Sequence, residues 1–255
     1  MKNNIALSIL LVLTTLLVGC IEDEPISIDK PKVDYSFFVA GHTYGTQGVD
    51  NIGLHPPFEA YYNTINTYPR MLLGVLTGDI VLSSTTQNWD EVDMSIQRLN
   101  MPIHFAFGNH DIRWNRPLVE SRYGQSYKAF AQEDDLFILL DSNLDDWNIS
   151  GDQLSFLNHT LDSLSDSSKH IFVFVHHMIW WDSTNVFAPA EPNAITQKAD
   201  TTNFWTEIEP IFNALDKPVF FFSGDGGANH IARSLTYYKD GDISYITSGM
   251  GFREE

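Results

Sequence analysis

Six short runs of apolar, β-prone residues recur along the chain, at Ser36–Ala40, Leu72–Thr77, Ile103–Phe107, Leu136–Leu140, Ile171–Val175 and Val219–Phe222. Their hydrophobicity is continuous rather than alternating, the pattern of strands covered on both faces, and a polar or glycine-containing cluster follows each one. Between several of them the period lengthens to that of a helix. Trp89, Val92, Ile96 and Leu99 share one helical face, with Asn88 as the expected N-cap and Glu91 three residues later. Leu154, Leu157, Leu161 and Leu164 repeat that spacing behind an expected capping box of Ser150 and Gln153. Asn203 to Leu215 forms a weaker third helical pattern, which Pro210 either breaks or restarts. Strands alternating with helices predict an α/β fold with both sheet faces covered. Near the end, Leu235–Tyr238 and Ile243–Ser248 flank Lys239-Asp240-Gly241-Asp242, a hairpin signal.

The first residues follow another pattern. Lys2 is the only charge before Cys20, and the apolar run Ile5–Val18 is short for a bilayer span but suits the h-region of a signal peptide. Leu17-Val18-Gly19-Cys20 resembles the lipobox of bacterial lipoproteins. The expectation is a signal peptide over residues 1–19, a lipid anchor to the membrane through Cys20, and a place at the cell envelope, on the outer membrane or cell surface. Residues 20–34 are acidic and carry Pro25 and Pro31, the composition of an extended tether. The folded domain is then expected over 35–255.

Composition narrows the classes. A chain of 255 residues can bury a sizeable core without staples. With 33 acids against 15 Lys and Arg, its net charge of −18 repels phosphate backbones and excludes a nucleic-acid-coating protein. The single cysteine rules out an internal disulfide and a thiolate zinc cluster.

The chemistry-bearing residues fall just after the apolar runs, where open α/β sheets place their functional crevice. Glycines precede them in Gly41-His42, Gly78-Asp79, Gly108-Asn109-His110-Asp111 and Gly224-Asp225, and His176 follows the fifth run. Imidazole, carboxylate and amide oxygen converging there suit a divalent metal ion such as Mn, Zn or Fe. The ordered set of His42, Gly78-Asp79, Gly108-Asn109-His110-Asp111, His176 and Gly224-Asp225-Gly226-Gly227 resembles the calcineurin-like metallophosphoesterases, whose blocks read D-x-H, G-D, G-N-H-[DE], H and G-H-x-H. Leu139-Leu140-Asp141-Ser142, followed by Gly151-Asp152-Gln153-Leu154, is similar to a further segment of that family.

The resemblance implies a two-sheet α/β sandwich flanked by helices, a phosphate-ester substrate, and one or two divalent metal ions held by His42, Asp79, Asn109, His176 and Asp225. His110 would stabilise the transition state or protonate the leaving oxygen, and Asp111 would orient His110. Two blocks depart from the pattern: Ala40 replaces the first-block aspartate, and Asp225 and Gly227 replace the last-block histidines. In the family, the positions of Ala40 and Gly227 serve the same ion, leaving His42 and Asp79 for it unless His230 has moved in. The reading is therefore a metal-dependent hydrolase of phosphate mono- or diesters. The alternative is a non-catalytic relative that binds an envelope glycan or a protein partner. Other conspicuous residues have plainer expected roles: His177 a neighbour of His176, His104 a packed strand residue, His159 and His170 surface residues, and Trp180 and Trp181 core or cleft lining.

Overall fold

In a computed structural model, residues 34–45, 52–193, 195–228 and 232–250 are described, all within one unit, Val33–Glu255. The expected signal peptide, Cys20, most of the tether and His230 lie outside these residues. Among those described, no helix is long and apolar enough to cross a membrane.

Two sheets form the centre. One is three-stranded and parallel, in the order β1 (Ser36–Ala40), β2 (Met71–Leu76), β3 (Ile103–Phe105). The other has six strands in the order β4 (Lys128–Gln132), β5 (Asp135–Leu139), β6 (His170–Val175), β7 (Val219–Ser223), β9 (Ile243–Ser248), β8 (Leu235–Asp240). Strands β5, β6, β7 and β9 run parallel, and antiparallel β4 and β8 close the two edges. All six expected strands are present within two residues at each end. The weakly apolar Lys128–Gln132 was not expected; it pairs with the wholly buried β5 through a tight turn. The Asp240-Gly241 hairpin joins β8 to β9, with Gly241 at φ 54°.

The facing sides of the sheets share an aromatic core. Phe37 of β1 stands edge-on to Phe137, Phe172, Phe174 and Phe222 of the larger sheet, with ring centroids 4.9 to 6.2 Å apart. On the outer face of the larger sheet, Ile138, Val173 and Phe221 pack under α6 (Gly151–Leu164) and the segment that follows β6. On the outer face of the smaller sheet, Leu76 and Phe105 pack under α1 (Pro56–Glu59), α2 (Tyr62–Thr67), α3 (Thr86–Ile96), α4 (Asn109–Ile112) and α5 (Arg116–Tyr123). The inner strands β2, β5, β6 and β7 are thus covered on both faces, which is why their apolar runs are unbroken. The result is the two-sheet α/β sandwich flanked by helices.

Helix starts are the least accurate expectations. Thr85, not Asn88, is the N-cap of α3, and its hydroxyl accepts from the Asn88 N–H at 3.2 Å. Ser150 does sit at the N-cap of α6 but makes no capping bond. Its hydroxyl donates to Asp145, and Gln153 turns away to bond both backbone groups of Asp141 at 2.6 and 3.1 Å. A buried strand end thus takes the side chain the helix would have used. Pro210 restarts the third helix: one π turn, Phe204–Ile208, leads into α7 (Glu209–Asn213).

His104 of β3 is packed, as its strand position suggests, and stacks on Phe130 of β4 with centroids 4.3 Å apart. Burial, assisted by Lys128, holds its imidazole down to about 4. The unfolded chain takes up this proton near pH 6.5, about where a free histidine titrates. As pH falls from there toward 4 the unfolded state binds more protons than the folded one, and stability is lost. His104→Phe should lose less stability than the parent between pH 7 and pH 4.5 in urea unfolding. Equal losses in the two chains would contradict this.

Candidate metal centre

The residues singled out in the sequence emerge at the carboxyl ends of β1, β2, β3, β6 and β7, where the two sheets touch. The contact is between backbones. A Cβ on Gly224 would lie 1.9 Å from the Thr77 carbonyl oxygen, and one on Gly78 would lie 2.3 Å from Nδ1 of His176. Across this seam His176 Nδ1 donates to the Thr77 carbonyl at 3.0 Å and the Met250 N–H donates to the Gly41 carbonyl at 3.0 Å. Asn143, just after β5, adds a bond from Nδ2 to the Phe107 carbonyl at 2.9 Å.

Asp79 lies at the middle of this seam, 2% exposed. Its Oδ1 accepts the His110 backbone N–H at 3.1 Å and lies 3.3 Å from His176 Nε2, while Oδ2 lies 3.3 Å from His42 Nε2. Asp225 Oδ1 is 4.0 Å from the same His176 nitrogen. Asn109 is buried, and its Oδ1 has no hydrogen-bond partner among the described residues. His42 and Asp79 both hold left-handed backbone, at φ 54° and 50°. Each such residue costs about 1–3 kcal/mol, an expense characteristic of functional sites.

The protonation pattern is informative. His42 Nδ1 donates to the Gly45 carbonyl at 2.9 Å, as His176 Nδ1 does to Thr77, so in each ring Nε2 is the atom turned toward Asp79. Burial drives the His42 imidazole down to about 4, outweighing the attraction of Asp79. Burial also opposes ionisation of Asp79, but His176, His42 and His110 prevail and hold its carboxyl below the usual range. The Nε2 atoms of two buried rings therefore face the two oxygens of one carboxylate, and the lone pair of the neutral His42 ring against Asp79 is an arrangement of acceptors that a cation would relieve. Separations of 3.3 Å also suit neighbouring ligands of one ion with bonds of about 2.0–2.2 Å. The donor set fits a divalent metal.

His177, expected only as a neighbour, belongs to the same cluster: His176, His177 and Asp225 each offer a ligand atom, all within 4.8 Å of one another. Its ring stacks on Trp147 at 4.7 Å, Nδ1 bonds Ser142 Oγ at 2.7 Å, and burial pushes its pKa well below the ordinary value. The His-His doublet was the available signal, but which ring faces inward depends on Ser142, distant in sequence.

Asp111 acts on His110 through the backbone of its turn rather than through the ring. It does not touch the His110 ring, whose Nδ1 donates instead to the Leu82 carbonyl at 2.8 Å and whose face lies 5.0 Å from the Tyr44 ring. Asp111 accepts the N–H groups of Ile80 and Val81 on Oδ1 and of Gly108 on Oδ2, at 2.8 to 3.0 Å. It joins the turns after β2 and β3, and so positions both Asp79 and His110. Burial and the charge of Asp79 push its carboxyl up, to about 8, against these three donors.

At the two departures, Ala40 packs against the apolar cluster outside the smaller sheet. Gly227 holds φ 78° in a turn where a Cβ would meet the Met250 carbonyl oxygen at 2.7 Å. Neither residue has a ligating side chain.

No family model matches the chain, and no curated protein matches its sequence. Among solved structures it is similar to the purple acid phosphatase PPD1 from yellow lupin (Lupinus luteus) seeds, with a TM-score of 0.57 and 11% identity over 82% of this chain and 43% of that one. The fold is that of the metallophosphoesterases. Lesser likenesses are to a putative 5'-nucleotidase from Staphylococcus aureus (TM-score 0.43, 15% identity, 87% of this chain and 41% of that one) and to Vps29 from Entamoeba histolytica (0.33, 10%, 84% and 72%). The chain spans less than half the length of the lupin phosphatase and of the nucleotidase.

Asp111→Asn should cost about 1–3 kcal/mol, because one oxygen becomes an N–H₂ facing a backbone donor. Urea unfolding at neutral pH measures the loss. A stability equal to that of the parent would contradict the positioning role.

Proposed function

We propose that the chain is a metal-dependent hydrolase of phosphate mono- or diesters, carried on the bacterial cell envelope by a lipid on Cys20. The observation that carries the reading is Asp79, whose two oxygens each face the Nε2 of a buried histidine at 3.3 Å. His176, Asp79, Asp225 and Asn109 would hold one ion, of Mn, Zn or Fe type, with His177 beside them. His42 and the second oxygen of Asp79 offer a poorer second place, because Ala40 and Gly227 supply nothing.

When bound, the ion supplies Lewis acidity toward a phosphoryl oxygen and offsets the substrate's charge in a protein of net charge −18. The protein's own part is positional and acid–base. His110 has its Nδ1 committed to Leu82, so the ring is fixed and Nε2 of the imidazolium can pass a proton to the leaving oxygen. Its backbone N–H, bonded to Asp79, keeps that ring beside the metal ligands. Tyr44 walls the site, with its ring 4.4 Å from that of His42 and 5.0 Å from that of His110.

The loss of two family ligands favours a second reading, a metal-binding but non-catalytic protein of the same fold. Metal analysis and hydrolysis of p-nitrophenyl phosphate and bis(p-nitrophenyl) phosphate separate the two. The phosphoesterase should retain about one tightly held ion per chain, lose it in His176→Ala and keep it in His42→Ala. His110→Ala should keep the ion and lower kcat by about 10²–10⁴. Bound metal without turnover would favour the second reading, and neither metal nor turnover with any of the three ions would defeat the first. Cys20→Ser should move the protein from the membrane fraction to the soluble one, and unchanged membrane association would refute the lipid anchor.

A further inference from the structure

The segment that follows β6 forms a second cavity, of about 580 Å³, and none of its lining residues belongs to the set around Asp79. That size is within the usual range of small-molecule clefts. Its walls are aromatic. Trp205 is 39% exposed and Tyr238, on the edge strand β8, is 41% exposed. Both rest on the same buried ring: Phe187 lies 6.0 Å from Trp205, nearly parallel at 27°, and 5.2 Å from Tyr238, edge-on at 78°. Trp205 is fixed further by Nε1, which donates to the Trp180 carbonyl at 3.0 Å. Two exposed rings held in this way lose little freedom when a ligand lies on them.

The rim is polar and carries acid but no base. Asp182 and Asp240 line the cavity together with Thr201, Thr202 and Thr206, and no Lys, Arg or His is among its lining residues. Asp182 is already engaged: Oδ1 accepts from the Thr184 N–H and hydroxyl, and Oδ2 lies 3.8 Å from Lys198 Nζ. Asp240 adds a carboxylate acceptor; the Thr202 and Thr206 hydroxyls donate to the carbonyls of Ile179 and Asn203 and keep lone pairs to accept with, while the Thr201 hydroxyl can do both. A phosphorylated or carboxylated ligand is repelled by this rim, while a purely apolar one would desolvate it without return. The ligand class that matches both walls has a flat, weakly positive C–H face and hydroxyls at its edge, because the face of an aromatic ring is negative.

We propose that this cavity binds a neutral sugar unit, stacked on Trp205 and Tyr238 and hydrogen-bonded through Asp240 and the threonine rim. The site is independent of the metal centre, so its failure and that of the phosphoesterase reading are distinguishable.

Calorimetry and tryptophan fluorescence test it on the full chain, with and without EDTA. The probes are glucose, maltohexaose, mannohexaose, xylohexaose and chitohexaose, with glucose 6-phosphate and choline as contrasts. At least one neutral probe should bind saturably and indifferently to EDTA, and glucose 6-phosphate should not. Trp205→Ala and Tyr238→Ala should each weaken binding by about tenfold or more. If Trp205→Ala fails to fold, Tyr238→Ala and Asp240→Asn decide. A hexaose that binds more tightly than glucose points to a glycan chain, and equal affinity points to a free sugar. Absence of binding by every neutral probe, undiminished binding in the folded variants, or a preference for choline would overturn the proposal.

Discussion

The candidate centre depends on the two sheets meeting at backbone distance where their strands end. Gly224 lies so close to the Thr77 carbonyl oxygen that any side chain would collide with it, and Gly78 has the same relation to the His176 ring. This contact brings Asp79 from the smaller sheet within 3.3 Å of His176 from the larger one. Were the sheets held apart by ordinary side chains, as over the rest of their facing surface, the cluster would fall into two halves. The aromatic core around Phe37 and the glycine seam therefore set complementary spacings, and the polar groups occupy the narrow end.

Within that narrow end, electrostatics and backbone strain have a common origin. Burial removes water from His42 and lowers its basicity, while the carbonyls of Gly45 and Thr77 fix the tautomers of His42 and His176. The two Nε2 atoms are thus aimed before any ligand arrives, and the left-handed conformations of His42 and Asp79 are part of the cost of aiming them. Asp111 meets the same constraint from behind. Its three amide partners belong to two separate turns, so one buried carboxyl holds both together.

Much of this was legible in the sequence because strands buried on both faces leave continuous apolar runs, and the residues after them have few places to go. Ser36–Ala40 and Ile243–Ser248 were found to the residue. The edge strand Lys128–Gln132 was not, because one side of it faces no neighbour and its composition stays mixed. Local capping rules failed at Asn88, where Thr85 caps the helix and the Asn88 amide turns back to the Ser83 carbonyl, and at Gln153, whose amide is taken by the backbone of Asp141 beyond the end of β5. His177 was passed over for the same reason. A doublet says that two imidazoles lie near a strand end, but Ser142 and Trp147 decide where the second one points.

Trp180 and Trp181 show how neighbouring residues of like chemistry part company. Trp180 is fully buried against Phe204, Phe221 and Tyr245 and completes the outer core of the larger sheet. Its carbonyl meanwhile accepts from the indole of Trp205, and Trp181 turns outward into the second cavity. One core residue thus anchors an exposed ring through its backbone while filling the interior with its side chain. The acidic balance of the chain then separates the two sites by charge. At Asp79 a cation, once held, would offset the charge of an anion, whereas the rim at Asp182 and Asp240 has no base lining it and would suit an uncharged ligand.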